Sequence, residues 1–194
     1  MSEQKAKFIL ASASPRRAAI LETLGLEFET ISPDILEEQH DGEAPADFVT
    51  RAARGKVAAV AHHCESGIVI GADTVVVIDG RPLGKPADAE EAREMLRSLS
   101  GRWHAVMTGL AVRDVASSHE VADNDKTLVR FRELTDEEID RYIATGEPFD
   151  KAGAYGIQGR GMLFVDEIAG SYHNVVGLPA TLLQRLVRRL GVEL

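Results

Sequence analysis

Two adjacent arginines, Arg16 and Arg17, follow Ser14-Pro15 and the short apolar run Phe8–Ala11. The run has the length of a strand covered on both faces. Ser14 is a suitable N-cap, and Pro15 fits the first helical position, where a missing N–H costs nothing. Both arginines therefore fall in the first turn of a helix, beside N–H groups that have no intrahelical partner. Cations at that end oppose the helix dipole, so two together predict an anion between them, most naturally a phosphate. An isolated arginine pair on a helix is usually just solvated, so the anion reading needs other groups to join it.

Asp73 is the second such group. It ends the apolar stretch Ile68-Val69-Ile70-Gly71-Ala72, where a carboxylate costs energy unless it has a partner. Metal binding, activation of a water molecule and simple capping of the turn after a strand are all open to it. Gly71 and Ala72 would let a ligand approach the backbone. Two lysines complete the set. Lys56 lies in the alanine-rich helix Arg51–Ala59, where a solvated lysine is the plain expectation, and Lys85 lies between Gly84 and Pro86, a rigid turn that would fix its stem. Lysines act as point charges, whereas arginines offer a fork that matches two phosphate oxygens.

The elements that must position these groups alternate between strand and helix. After the first strand–helix unit, closed at Gly25, Leu26–Ile31 predicts a strand ending at Ser32-Pro33. A helix is expected over Ala46–His62 with Phe48, Val49, Ala52, Ala53, Val57 and Val60 inward. Gly55 within it costs about 1 kcal/mol relative to alanine and predicts close packing or a site edge. Ile68–Ile78 reads as a strand turned back at Asp79-Gly80. Asp88 starts another helix, with Ala92, Met95, Leu96 and Leu99 on one face. His104–Val112 and Lys126–Phe131 read as strands, and Thr135 with Glu138 as a capping box. A strand is expected at Met162–Val165, and a last helix from Pro179 to Gly191. Hairpins mixed with helices imply an α/β protein with a mixed sheet rather than a doubly wound parallel one.

A length of 194 residues suits a single domain. The longest apolar runs have strand length, which predicts no membrane span, and no signal-peptide core precedes Ser12. The single cysteine, Cys64, excludes an internal disulfide and fits a reducing cytoplasm. A net charge of −9 argues against a nucleic-acid-coating surface, but not against a nucleotide held by a few focused cations. The histidines lack metal-ligand spacing and read as structural, and Trp103 as core. The run Gly153-x-x-Gly156-x-x-Gly159-x-Gly161 resembles a dinucleotide fingerprint, but that fingerprint follows a strand and opens a helix, whereas this run precedes a strand.

The order of these segments resembles the Maf family of nucleotide pyrophosphatases. The similarity starts at Ala11-Ser-Ala-Ser-Pro-Arg-Arg17 and recurs at Gly71-Ala72-Asp73-Thr74, Gly84-Lys85-Pro86, Leu99-Ser100-Gly101 and Thr108-Gly109. It continues through Asp150–Gly159, Gly170-Ser171-Tyr172-His173 and Val176-Gly177-Leu178-Pro179. The resemblance implies an elongated mixed β-sheet with flanking helices and two lobes around a central cleft, similar to the inosine triphosphatases. It implies hydrolysis of dTTP and UTP to the monophosphate and pyrophosphate, with a divalent cation, Mg²⁺ or Mn²⁺. Asp73 takes the place of the catalytic base, and Asp73 with Glu37 that of the metal-binding acids, Glu38 being the alternative register. Ser12, Arg17, Lys56 and Lys85 match phosphate-binding positions.

Arg16, Thr74 and Gln158 match the positions that separate the pyrimidine branch of the family from the branch acting on 7-methyl-GTP. A glutamine amide, both donor and acceptor, suits the N3–H and O4 edge of uracil or thymine. The 7-methyl-GTP branch carries an aromatic platform and a carboxylate instead, which suit a cationic purine. The resemblance further implies a cytoplasmic homodimer whose partner is the nucleotide, with no nucleic acid and no membrane. The same reaction on 7-methyl-GTP, and nucleotide-binding regulation of septum formation, are the rival expectations.

Overall fold

The computed structural model describes residues 7–35 and 38–194. Its strands form one mixed sheet of seven in the order β2 (Phe28–Thr30), β1 (Phe8–Ala11), β3 (Ile68–Ile78), β5 (Trp103–Asp114), β6 (Glu120–Phe131) and β7 (Val165–Ala169), with β4 (Arg81–Leu83) pairing β3, and helices flank it. The predicted α/β class with a mixed sheet is therefore present. The chain divides into two compact units, one formed by Met1–Asp73, Thr108–Asp125 and Gly177–Leu194, the other by Thr74–Met107 and Lys126–Val176.

In the first unit, β1 (Phe8–Ala11) is buried along its length and leads into α1 (Pro15–Thr23). Gly25, at φ +73°, ends that helix, and the Leu26 N–H closes back on the Leu21 carbonyl. The strand after it, β2 (Phe28–Thr30), is shorter than expected and runs parallel to β1. α2 (Pro45–Ala61) buries all six of the predicted inward residues. β1 is also parallel to the start of β3 (Ile68–Ile78), in the register Phe8↔Ile68 to Ala11↔Gly71. Ile9, Ala53, Val57, Val60 and Val69 form the core between helix and sheet. The last helix, α5 (Ala180–Arg189), buries Leu182, Leu183, Leu186 and Val187.

Two glycines set how closely α2 lies on the sheet. A Cβ on Gly71 would stand 2.7 Å from both the Ala53 carbonyl oxygen and Val57 Cγ2. On Gly109, in β5 (Trp103–Asp114), it would overlap the Val49 carbonyl. The space beside Gly71 is thus filled by helix backbone and is not left for a ligand. Gly55, by contrast, faces only the Ile35 Cδ1 at 3.4 Å, so close packing is not what requires a glycine there. Because backbone cannot yield as a side chain can, Gly109→Ala should cost at least the upper part of the ~1–3 kcal/mol typical of overpacking. Gly84→Ala is the control, since nothing lies within 4 Å of the added methyl. Thermal unfolding checks both. Equal melting temperatures for the two variants would contradict the close approach.

In the second unit, β3 turns through Asp79 and Gly80, both at positive φ, into β4 (Arg81–Leu83). Asp88 caps α3 (Ala89–Leu99) by accepting from the Glu90 and Glu91 N–H groups. Thr135 and Glu138 form the predicted capping box of α4 (Asp136–Ile143). Leu96, Leu99, Val106, Phe131, Ile139, Tyr142 and Phe164 make one core cluster. His104 is buried there with Nε2 2.8 Å from the Tyr155 hydroxyl. Desolvation pushes its pKa down to about 4, so it is a neutral structural histidine.

Three further expectations fail. Arg160–Phe164 forms a 3-10 turn, and the strand is β7 (Val165–Ala169). The Leu163 carbonyl accepts from the Arg132 side chain at 2.9 Å and so is diverted from a regular ladder. Trp103 is 42% exposed at the first position of β5, with the Arg130 guanidinium 5.9 Å from its ring. β6 (Glu120–Phe131) begins six residues before the predicted Lys126, because its first half is polar and shows no apolar run.

Candidate active site

The turn between β1 and α1 is organised by Ser12 and Arg17, which are 5% and 9% exposed. Ser14 occupies the N-cap position without a side-chain cap bond; its N–H donates to Ser12 Oγ at 3.1 Å. Arg17 Nη1 donates to the same oxygen at 3.0 Å, and Arg17 Nε donates to the Gly177 carbonyl at 2.8 Å. A hydroxyl has two acceptor positions and one donor. With both acceptor positions engaged, Ser12 presents its O–H as a donor, the polarity that a phosphate oxygen requires. Arg17 shares the buried stripe of α1 with Ile20 and Leu21, and Arg16 beside it is half-buried.

Lys56 and Asp73 meet inside the first unit. Lys56 Nζ lies 2.7 Å from Asp73 Oδ1 and 3.2 Å from the Ala72 carbonyl oxygen. The two residues are 6% and 7% exposed. The expected solvated Lys56 is thus overturned. Position 56 follows Val49, Ala52 and Ala53 at helical spacing, so it falls on the stripe that packs against the sheet. The close approach at Gly71 and Gly109 then brings it to the strand. Asp73 does not cap a turn. It sits within β3, in the stretch between the residues that pair with β1 (up to Gly71) and those that pair with β4 (from Val76). Each charge offsets the other's desolvation.

Three of the predicted residues, Thr74, Lys85 and Gln158, belong to the second unit. Thr74 is half-buried at the start of the second unit, which also contains the exposed Lys85 and the exposed Gln158. Glu37 lies outside the described residues. Glu38 is exposed, and its carbonyl accepts from Arg51 Nη2 at 2.8 Å while Arg51 forks onto Glu43. Asp150 and Lys151 form an ion pair with each other.

Among the described residues no three His, Cys, Asp or Glu side chains gather to hold a metal. Among the described residues, the donor set at Asp73 is a single hard carboxylate. A cage made of protein groups alone does not fit it, but a divalent cation shared with substrate phosphates and water does.

Sequence comparison then places the chain. The model of the Maf-like protein family matches residues 7–190, and the chain belongs to that family. A dTTP/UTP pyrophosphatase of Dictyoglomus thermophilum is 48% identical over 192 residues, covering 98% of this chain and 99% of its own. One from Bacillus cytotoxicus is 52% identical over 184 residues, covering 95% and 94%. Among solved structures, the Ham1 protein of Staphylococcus aureus aligns with 64% of this chain and 71% of its own at a TM-score of 0.45 and 14% identity.

Proposed function

We propose that the chain is a nucleoside triphosphate pyrophosphatase that hydrolyses dTTP and UTP to the nucleoside monophosphate and pyrophosphate. The observation that carries this reading is the buried Lys56–Asp73 pair, in a chain about half identical over nearly its full length to proteins named for that activity. A protein that only sensed nucleotides would not need a water-activating acid, the role assigned to Asp73.

In the proposed reaction a water oxygen attacks the α-phosphorus, and the bond from that phosphorus to the oxygen bridging to the β-phosphate breaks. Asp73 accepts the water proton, and Lys56 holds the carboxylate in place and offsets its charge. The Ser12 hydroxyl donates to a phosphate oxygen, and Arg16, Arg17 and Lys85 supply positive charge around the triphosphate. Asp73, with Glu37, would hold a Mg²⁺ or Mn²⁺ ion, which supplies neutralisation of phosphate charge when bound. Arg16, Thr74 and Gln158 are assigned to the base, and the single cysteine suits a cytoplasmic setting.

Pyrophosphate release from dTTP, UTP, CTP, GTP and 7-methyl-GTP, with and without Mg²⁺, tests the proposal. We expect dTTP and UTP to be the best substrates and chelator to abolish release. If 7-methyl-GTP proves best, the base assignment is wrong; if none is cleaved, the enzymatic reading fails.

A further inference from the structure

The glycine-rich run is not absorbed by phosphate or metal chemistry, yet each of its glycines has a definite neighbour. A Cβ on Gly153 would stand 2.8 Å from Val76 Cβ, and one on Gly156 2.5 Å from Lys151 Cε. On Gly159 it would overlap the Glu147 carboxylate, and on Gly161 it would lie 2.7 Å from the Gly156 carbonyl oxygen and 3.0 Å from the Tyr142 hydroxyl. The end of the run, at Gly159 and Gly161, therefore lies close against two side chains from the end of α4 and the 3-10 turn after it, Tyr142 and Glu147.

Those two side chains also bind the run's backbone. Glu147 Oε2 accepts from the Arg160 N–H at 2.9 Å, and Oε1 accepts from the Gly161 N–H at 3.3 Å. The buried Tyr142 hydroxyl donates to Glu147 Oε1 at 2.8 Å and accepts from the Gly156 N–H at 3.1 Å. Lys151 Nζ, whose stem lies under Gly156, donates to the Glu147 carbonyl at 2.7 Å. Three backbone N–H groups on both sides of residue 158 are thus fixed to one carboxylate–phenol pair. Partial burial raises the Glu147 pKa, but hydrogen bonds from the Arg160 N–H, the Tyr142 hydroxyl and the Gly161 N–H, with the Lys151 charge, outweigh it and keep the group an acceptor at both oxygens.

Gln158 is the exposed residue at the centre of this anchored segment. Its amide carries a donor and an acceptor of nearly equal shape, so it can satisfy either the uracil edge or the reversed pattern of cytosine. Telling them apart requires the amide to be presented at a set position and angle, which an unanchored glycine-rich loop cannot do. We propose that Glu147, with Tyr142, is a positioning residue for base selection: the pair pins the 156–161 loop so that Gln158 meets the nucleobase in one orientation. This rests on the assignment of Gln158 to the base.

The test compares kcat/KM for UTP and CTP in the native enzyme, Glu147→Gln, Tyr142→Phe and Gln158→Ala. A glutamine keeps the shape of Glu147 but has only one accepting atom, so one backbone N–H loses its partner. The UTP-to-CTP preference should fall by roughly tenfold in Glu147→Gln and in the same direction in Tyr142→Phe. Glu147→Asp, which keeps the charge, should recover part of it. A variant that merely folds poorly loses both activities in proportion and keeps the ratio, so Tyr142→Phe carries the test if Glu147→Gln is unstable. A collapse of preference in Gln158→Ala with an unchanged ratio in both Glu147→Gln and Tyr142→Phe overturns the pinning role and leaves the base assignment standing. An unchanged ratio in Gln158→Ala overturns the base assignment, and the pinning proposal falls with it.

Discussion

Asp73→Asn should lower turnover of UTP by about 10²–10⁴-fold, the range expected when a general base is removed. Asparagine keeps nearly the same volume in a strand position that is 7% exposed, so the packing of β3 against α2 should survive. Its amide oxygen can still accept from Lys56 Nζ, which now stands 2.7 Å from Asp73 Oδ1. Nucleotide affinity should therefore change much less than turnover, because Arg16, Arg17 and Lys85, assigned to the phosphates, are untouched. Single-turnover pyrophosphate release beside nucleotide binding at equilibrium separates the two quantities. Native turnover in this variant would remove Asp73 from the chemistry, whatever its burial.

Lys56→Met should have the larger effect on the fold. Methionine fills the stem's volume but leaves the Asp73 carboxylate buried without its cation. Breaking a buried pair from one side costs about 3–5 kcal/mol, far more than the ~0–1 kcal/mol expected of a solvent-exposed pair. Urea unfolding should show a lower midpoint with an unchanged slope. The double variant Lys56→Met/Asp73→Asn should regain much of that loss, because the uncompensated charge is gone, and the cycle measures the coupling directly. Activity should be absent in both. A single-variant loss below about 1 kcal/mol would mean that water reaches the pair and that its burial does not govern its energetics.

Much of this molecule is legible along the chain because it depends on neighbours a few residues apart. The strand β1 running into α1, the Asp79-Gly80 turn, the Asp88 cap and the Thr135–Glu138 capping box all follow from local patterns and appear as predicted. So does the mixed sheet, and the blocks that resemble the Maf family extend across nearly all of the 194 residues. The Arg160–Phe164 turn and the exposed Trp103 escape such patterns, because five residues are too few to display a clear period and a lone aromatic carries no direction.

Tertiary packing decided the state of the groups that could do chemistry. Lys56 and Asp73 are 17 residues apart, and nothing local says that the lysine turns inward. That outcome depends on α2 resting on the sheet at Gly71 and Gly109, where a missing Cβ lets backbone approach backbone. Arg17 and Gly177 meet across 160 residues for the same kind of reason, since a buried guanidinium must find acceptors wherever the fold supplies them. The glycine-rich run shows the principle most plainly. Its spacing alone suits several loops, and the groups folded against it, Val76, Lys151, the Glu147 carboxylate and the Tyr142 hydroxyl among them, explain why side chains are excluded there. Residue type and spacing are local properties, but burial, charge pairing and the direction of a hydrogen bond are set by segments distant in the chain.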